Sequence, residues 1–109
     1  MAKRSATALY GDIVIARTTR AVLMQREFYF PRKDIFVELV PSKDFTFAMG
    51  LCIAFYLHVN INDRYLRNGA WTTPLPLPLG WDMRNRVAFR PDSGIVVVPG
   101  LMPDGAAPH

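Results

Sequence analysis

Prolines and glycines interrupt this chain so often that long helices are excluded. Nine prolines and seven glycines are spread over 109 residues, and no window keeps a helical stripe of apolar residues for three turns. Short apolar runs between turn-forming residues are typical of strands. The sequence therefore predicts an all-β fold with helical turns only. Many short strands at close spacing favour a small single-domain antiparallel β-barrel, with a β-sandwich as the alternative.

The turn signals set the expected boundaries. Gly11-Asp12 is hairpin chemistry between strands at 8–9 and 13–16. Further strands are predicted at 21–26, 36–40, 45–47, 51–59, 70–72, 87–89 and 95–98, a turn at 60–63, a bend at Gly50, and single helical turns at 32–35 and 81–85. Residues 7–98 then form one domain, and we expect loose ends at 1–6 and 99–109.

A run of 15 residues, from Phe45 to Val59, contains no charged side chain. A membrane-spanning helix needs about 20 apolar residues, so this run is too short to cross a bilayer. It also lies too far from the N-terminus to be a signal peptide. The single cysteine, Cys52, excludes a disulfide framework and favours a reducing compartment. We therefore expect a cytoplasmic protein without a membrane partner.

Several partners and cofactors are excluded by the same kind of reasoning. The net charge is +4, but the basic residues are scattered rather than clustered, so no nucleic-acid partner is predicted. Cys52 and His58 share a strand face yet lie roughly 20 Å apart along an extended strand, too far to share a metal ion. No phosphate-binding or dinucleotide motif occurs. We expect no metal and no cofactor.

The uncharged run gives the first indication of a binding site. On a strand, Cys52, Ala54, Tyr56 and His58 would share one face, and the intervening apolar residues the other. Either the strand is packed on both sides, or one face lines a cavity. Cysteine and alanine are small and leave room beneath the sheet, and a small closed barrel can enclose one ligand.

Glu38, in the predicted strand 36–40, is an acidic residue flanked by apolar neighbours. Phe36 and Val40 would lie on its face of the strand. One interpretation is an edge residue that points to water or pairs with an arginine. The other is a pocket carboxyl that acts as an acid or hydrogen-bond donor.

One phrase resembles a known family. The family called domain of unknown function 427 carries a Tyr-Phe-Pro-x-x-Asp-Val phrase, which matches residues 29–35 here. The similarity continues over about residues 7–98, through Val40-Pro41-Ser42, Gly50, Ala70-Trp71, the Pro74/Pro76 pair and Val87-Ala88-Phe89. The resemblance implies a small, mostly β domain of barrel-like form. It implies no activity, because none is agreed for the family as a whole. Typical members carry a cysteine and a lysine where this chain has Thr46 and Met49.

These features lead to two functional hypotheses. The first is a cofactor-independent cyclase that folds a hydrophobic, polyketide-like substrate inside the barrel, as in natural-product biosynthesis, by holding reacting groups together. Tyr56 and Glu38 would be catalytic, polarising a carbonyl. The substrate-binding residues would be Met24, Tyr29, Phe47, Met49, Cys52, Ala54, His58 and Trp71. The alternative is a non-catalytic protein that binds a hydrophobic ligand or forms a homodimer through its apolar face.

Overall fold

The protein is almost entirely β-structure. The structure, a computed structural model, describes residues 3–24, 26–48, 52–73 and 85–102, with the backbone alone at 47, 48 and 52. Its strands are β1 (Lys3–Tyr10), β2 (Ile13–Met24), β3 (Glu27–Tyr29), β4 (Glu38–Ala48), β5 (Cys52–Ile61), β6 (Arg64–Thr72), β7 (Val87–Phe89) and β8 (Ile95–Pro99). Short 3₁₀ turns occupy Arg32–Asp34 and Pro91–Ser93. Within these residues there is no helix long and apolar enough to cross a membrane.

The strands form two antiparallel sheets that are joined to each other. One sheet has the order β3-β2-β1-β8, and the other has the order β4-β5-β6-β7. Phe30 and Val87 exchange two backbone hydrogen bonds, of 2.7 and 2.9 Å, which link β3 to β7. Before β4, the Phe36 amide donates to the Ile15 carbonyl at 2.8 Å, which links the second sheet back to β2. The all-β, barrel-like form expected from the sequence is confirmed.

Several strands are longer than the sequence predicts, including β1 and β6, and two of them each join strands that were predicted as separate. β2 runs without a break from Ile13 to Met24, through a polar stretch expected to separate two strands. Its buried Thr18 hydroxyl donates to the Asp34 carboxylate at 2.7 Å, which satisfies a polar group inside the strand. β4 likewise continues past Pro41. Proline is tolerated there because β4 is an edge strand of its sheet, where the missing N–H faces away from the ladder.

The expected loose ends are partly ordered. β1 begins at Lys3, and Ala6 is fully buried, so the domain starts before residue 7. After β8, the Gly100 amide donates to the Ser5 carbonyl at 2.9 Å, and the Thr7 hydroxyl donates to the Gly100 carbonyl at 2.8 Å. The hydrogen bonds of β1 therefore hold both termini of the domain.

The predicted turns are confirmed where the structure describes them. Gly11-Asp12 connects β1 to β2, and a 3₁₀ turn lies at Arg32–Asp34. The β5–β6 turn is tighter than expected, because only Asn62 and Asp63 lie outside the strands. Both have positive φ, 47° and 68°, as a two-residue type I′ hairpin requires. The expected bend at Gly50, and residues 81–84 of the other helical turn, lie outside the described residues.

The main core lies between the two sheets. Its largest side chains are fully buried, and the Phe30 and Phe89 rings meet edge to face with centroids 5.5 Å apart. The other buried members are Ala6, Ala8, Ile15, Ala16, Ala21, Leu57, Val59, Ile61, Ala70, Val87 and Ile95. On the opposite face of β7, Ala88 belongs to a second, smaller cluster with Val22 and Tyr29. Packed apolar side chains thus occupy the described interior.

Candidate functional site

A surface groove with mostly apolar walls lies where the two sheets meet. Its volume is about 340 Å³, and it is lined by residues 26–28 at the start of β3, by Phe89 and Pro91 at the end of β7, and by residues 95–97 of β8. We call it the Glu27 groove. The Phe30–Val87 bridge brings β3 and β7 together, and β8 supplies the remaining wall. Aromatic and aliphatic residues therefore line the same groove as one acidic and one basic residue.

The electrostatics of this groove centre on Glu27. The residue is partly buried, and this burial raises the pKa of its carboxyl above the usual range, because desolvation disfavours the charged form. The neighbouring Arg26 lines the same groove but is exposed, in a left-handed backbone conformation with φ of 70°. The groove therefore offers apolar walls, a carboxyl group with a raised pKa, and an exposed cation.

Sequence reasoning selected a different carboxylate. Glu38 is exposed, and its Oε1 accepts a hydrogen bond of 3.0 Å from the Asn60 side-chain amide. Glu38 is therefore an edge residue that points to water, which is the first of the two interpretations given above. Glu27 was missed, although the sequence contains one signal, since Glu27 directly precedes three aromatic residues. In the structure it also pairs with Met24 across β2 and β3.

The structure does not bring the two expected catalytic residues together. Tyr56 and Asn60 lie on the same face of β5, four residues apart, which corresponds to about 13 Å along the strand. Glu38 pairs with Asn60 and thus lies at the far end of this interval. The Tyr56 ring instead contacts the Arg90 guanidinium, whose Cζ lies 5.3 Å from the ring centroid. A shared action of Tyr56 and Glu38 on one small substrate has no geometric basis here.

Three of the expected substrate-binding residues do come together. Met24, Tyr29 and Trp71 pack in the second cluster, around Val22 and Ala88. The indole nitrogen of Trp71 is buried and has no hydrogen-bond partner among the described residues. Much of the surface of these side chains is used in packing against one another, so the cluster is a small secondary core rather than an open site.

The remaining predicted residues lie along β4 and β5. Ala54 is buried, at 1% exposure, opposite Thr46. His58 lines a second, polar groove on the outer face of the second sheet. Met49 and the side chains of Phe47 and Cys52 lie outside the described residues. The cavity that we expected to be bordered by Met49, Cys52 and Ala54 therefore stays a prediction.

The uncharged run also contributes an exposed apolar patch. Phe45, Ile53 and Phe55 are 59%, 40% and 42% exposed, and the rings of Phe45 and Phe55 lie 6.2 Å apart. Leu57 and Val59 lie on the same face of β5 and are buried, so the β4–β5 hairpin extends past the core and carries its apolar face into solvent. We call Phe45, Ile53 and Phe55 the hairpin patch. The patch is one part of the surface that the uncharged run presents.

The described residues contain no group of three or more histidine, cysteine or acidic side chains arranged to hold a metal ion.

These features define a small all-β, barrel-like domain whose described residues line the Glu27 groove and the groove at His58. A family model described as Domain of unknown function (DUF427) matches residues 1–98, so the chain belongs to that family, and the resemblance seen in the sequence is confirmed. No curated protein matches the chain. Because the family description assigns no activity, the function has to be inferred from the site.

Proposed function

We propose that this protein binds a hydrophobic small molecule in the Glu27 groove. The observation that carries the proposal is the groove itself, about 340 Å³ with mostly apolar walls around one carboxyl group. Small-molecule sites are typically concave, largely apolar, and between about 300 and 1,000 Å³, with a few polar groups that fix orientation. The Glu27 groove has each of these properties.

The lining residues suggest which kind of molecule fits. Phe28, Phe89 and Val97 offer apolar surface for a ring or an aliphatic chain. Glu27, when protonated, can donate a hydrogen bond to a carbonyl, and Arg26 can contact a polar or anionic end of the ligand at the rim. The ligand class is therefore an apolar molecule with one oxygen-bearing end. A cytoplasmic location is part of the proposal and rests on the lone cysteine.

A cofactor-independent cyclase is the catalytic form of this proposal, and it stays a prediction. A bound polyketide-like chain would be held with its reacting groups close together, which alone accelerates a cyclisation. Protonated Glu27 would polarise a carbonyl of the substrate. Tyr56 and Glu38, the catalytic residues expected from the sequence, do not line the Glu27 groove. The reactive acid in this form of the proposal is Glu27.

A homodimer formed through the hairpin patch is the second candidate function. Exposed Phe45 lies on the edge strand β4, which favours a homodimer because edge strands readily pair with another chain. The homodimer ranks second because the exposed area of the hairpin patch is small. With aromatic side chains of about 150–250 Å² each, three half-exposed residues offer on the order of 300 Å², whereas a standard interface buries about 800 Å² per partner.

The proposal is tested by titrating the protein with Nile red and following its fluorescence. Val96 is an exposed wall residue of the groove at 57%, and Leu101 is equally exposed at 52% but does not line it. We expect saturable binding that Val96→Asp weakens about tenfold or more, because a charge then replaces apolar contact surface. Leu101→Asp is the matched control and should bind as the wild type does. Equal weakening by both variants, or no saturable binding, would contradict the proposal.

A further inference from the structure

We propose that a second site, on the outer face of the sheet formed by β4 to β7, binds a small aromatic oxyanion. The site is a groove of about 590 Å³ that includes Ser42, Lys43, Asp44, His58, Tyr65 and Arg67. We call it the His58 groove. It shares no lining residue with the Glu27 groove, so the inference is independent of the proposed function.

Irregularities in both neighbouring strands shape this groove. On β4, residues 42–44 lie between the pairs Pro41–Leu57 and Phe45–Phe55, so three residues oppose one residue of β5. On β6, residues 67–69 lie in the same way between the partners of Leu57 and Val59. Such bulges bend a strand and redirect its side chains, and they are frequent next to active sites. Here the β4 irregularity lies opposite Tyr56, and the β6 irregularity lies opposite His58.

A hydrogen bond fixes how His58 presents its ring. The backbone N–H of Asn68 donates to His58 Nδ1 at 3.0 Å, so that nitrogen acts as an acceptor and the ring proton lies on Nε2. Asn68 has a left-handed backbone conformation, with φ of 50°. Its side-chain amide donates to the Asp44 carboxylate at 2.6 Å. His58 therefore keeps an N–H donor available on Nε2 for a ligand.

The charges of the groove favour an anion. Lys43 and Arg67 are both exposed and form no ion pair with any described residue. Asp44 is the one acidic residue among those that line the groove, and one of its oxygens is already engaged by Asn68. Two cations against one carboxylate leave a net positive charge. The fork of Arg67 and the ammonium group of Lys43 both suit phosphate or carboxylate oxygens.

An aromatic surface lies beside these donors. The Tyr65 ring packs on the His58 ring, with centroids 5.0 Å apart and planes inclined by 38°, and more than half of the Tyr65 side chain is exposed. An aromatic ring of a ligand can stack on that exposed surface while its anionic group meets His58 and Arg67. Aryl phosphates and aryl carboxylates share this chemistry.

The test is an NMR titration of the full chain with phenyl phosphate, with benzoate, and with inorganic phosphate, following the His58 ring signals and the Arg67 amide. We expect phenyl phosphate or benzoate to shift both and to bind more tightly than inorganic phosphate. His58→Asn keeps an acceptor for the Asn68 amide but removes the Nε2 donor, and we expect it to weaken binding about tenfold, the usual worth of a hydrogen bond to a charged group. His58→Gln can restore a donor near the Nε2 position and should recover part of the affinity.

Arg64→Ala is the matched control for Arg67→Ala. Arg64 is an exposed arginine on the same strand that does not line the groove. We expect Arg67→Ala to weaken binding strongly and Arg64→Ala to leave it within twofold. Equal losses in the two variants would mean that the anion is attracted by general positive charge, and the inference would then be wrong. Absence of ring-signal shifts at millimolar ligand would overturn it as well.

Discussion

Replacing Phe30 by alanine tests whether the interior of this protein is packed or hollow. Phe30 is fully buried and contacts Phe89 edge to face, and its backbone carries the two hydrogen bonds that join β3 to β7. The substitution removes the ring but leaves those backbone bonds. It therefore isolates the contribution of side-chain packing at the junction of the two sheets.

The expected cost follows from complete burial. A fully buried phenylalanine replaced by alanine loses about 3–5 kcal/mol, which includes the transfer of the ring and the cavity left behind. A domain of this size has a total stability of roughly 5–15 kcal/mol. Phe30→Ala should thus remove a large share of the free energy of unfolding. If a hollow lay beside the ring, fewer contacts would be lost, and the cost would approach the transfer value of about 2–3 kcal/mol for an aromatic side chain.

Urea unfolding followed by circular dichroism measures this difference. Phe30→Leu is the control, because it keeps most of the volume and should cost about 1–2 kcal/mol. A loss below about 3 kcal/mol for Phe30→Ala, with an unchanged dependence on urea concentration, would refute the packed interior. It would then indicate an empty space beside Phe30, between the two sheets.

Three further predictions concern single sites. Because burial raises the pKa of Glu27, the folded protein binds more protons than the unfolded chain between the usual and the raised pKa. The free energy of unfolding should therefore fall as pH rises through that interval. Glu27→Gln should remove this contribution to the pH dependence and should be more stable than the wild type at pH 7. Thermal unfolding at several pH values measures both effects. Asp63→Gly should stabilise the protein by up to about 1 kcal/mol in urea unfolding, because Asn-Gly is the preferred pair for a type I′ turn with positive φ at both positions; destabilisation would contradict the turn assignment. Phe45→Ser and Phe55→Ser should each cost about 1 kcal/mol or less, because the two rings form an exposed cross-strand pair. A dimer found by light scattering in the wild type but lost in both variants would move the homodimer to first place.

Local sequence chemistry predicts much of this fold. Prolines and glycines exclude long helices, and Gly11-Asp12 identifies the β1–β2 hairpin. The length of β4 was missed because Pro41 normally ends a strand, and only its place at a sheet edge allows the strand to continue. That place depends on contacts between residues distant in sequence, which a single sequence does not give.

The sites were harder to predict for a related reason. The alternation of side-chain directions along a strand correctly separates the two faces of β5. It does not predict at which residue a face stops being buried in the core. Leu57 is buried while Phe55, two residues earlier on the same face, is 42% exposed. Glu38 and Glu27 also differ through distant contacts, since β8 and the end of β7 cover Glu27 and form its groove.

A titration of the ¹⁵N-labelled protein with 1-anilinonaphthalene-8-sulfonate, an apolar ring system with one anionic end, tests the proposed ligand site most directly. Binding in the Glu27 groove predicts saturable amide shifts at residues 26–28 and 95–97 and at Phe89, and their loss in Val96→Asp. Shifts confined to Phe45, Ile53 and Phe55, or no saturable shifts, would contradict it.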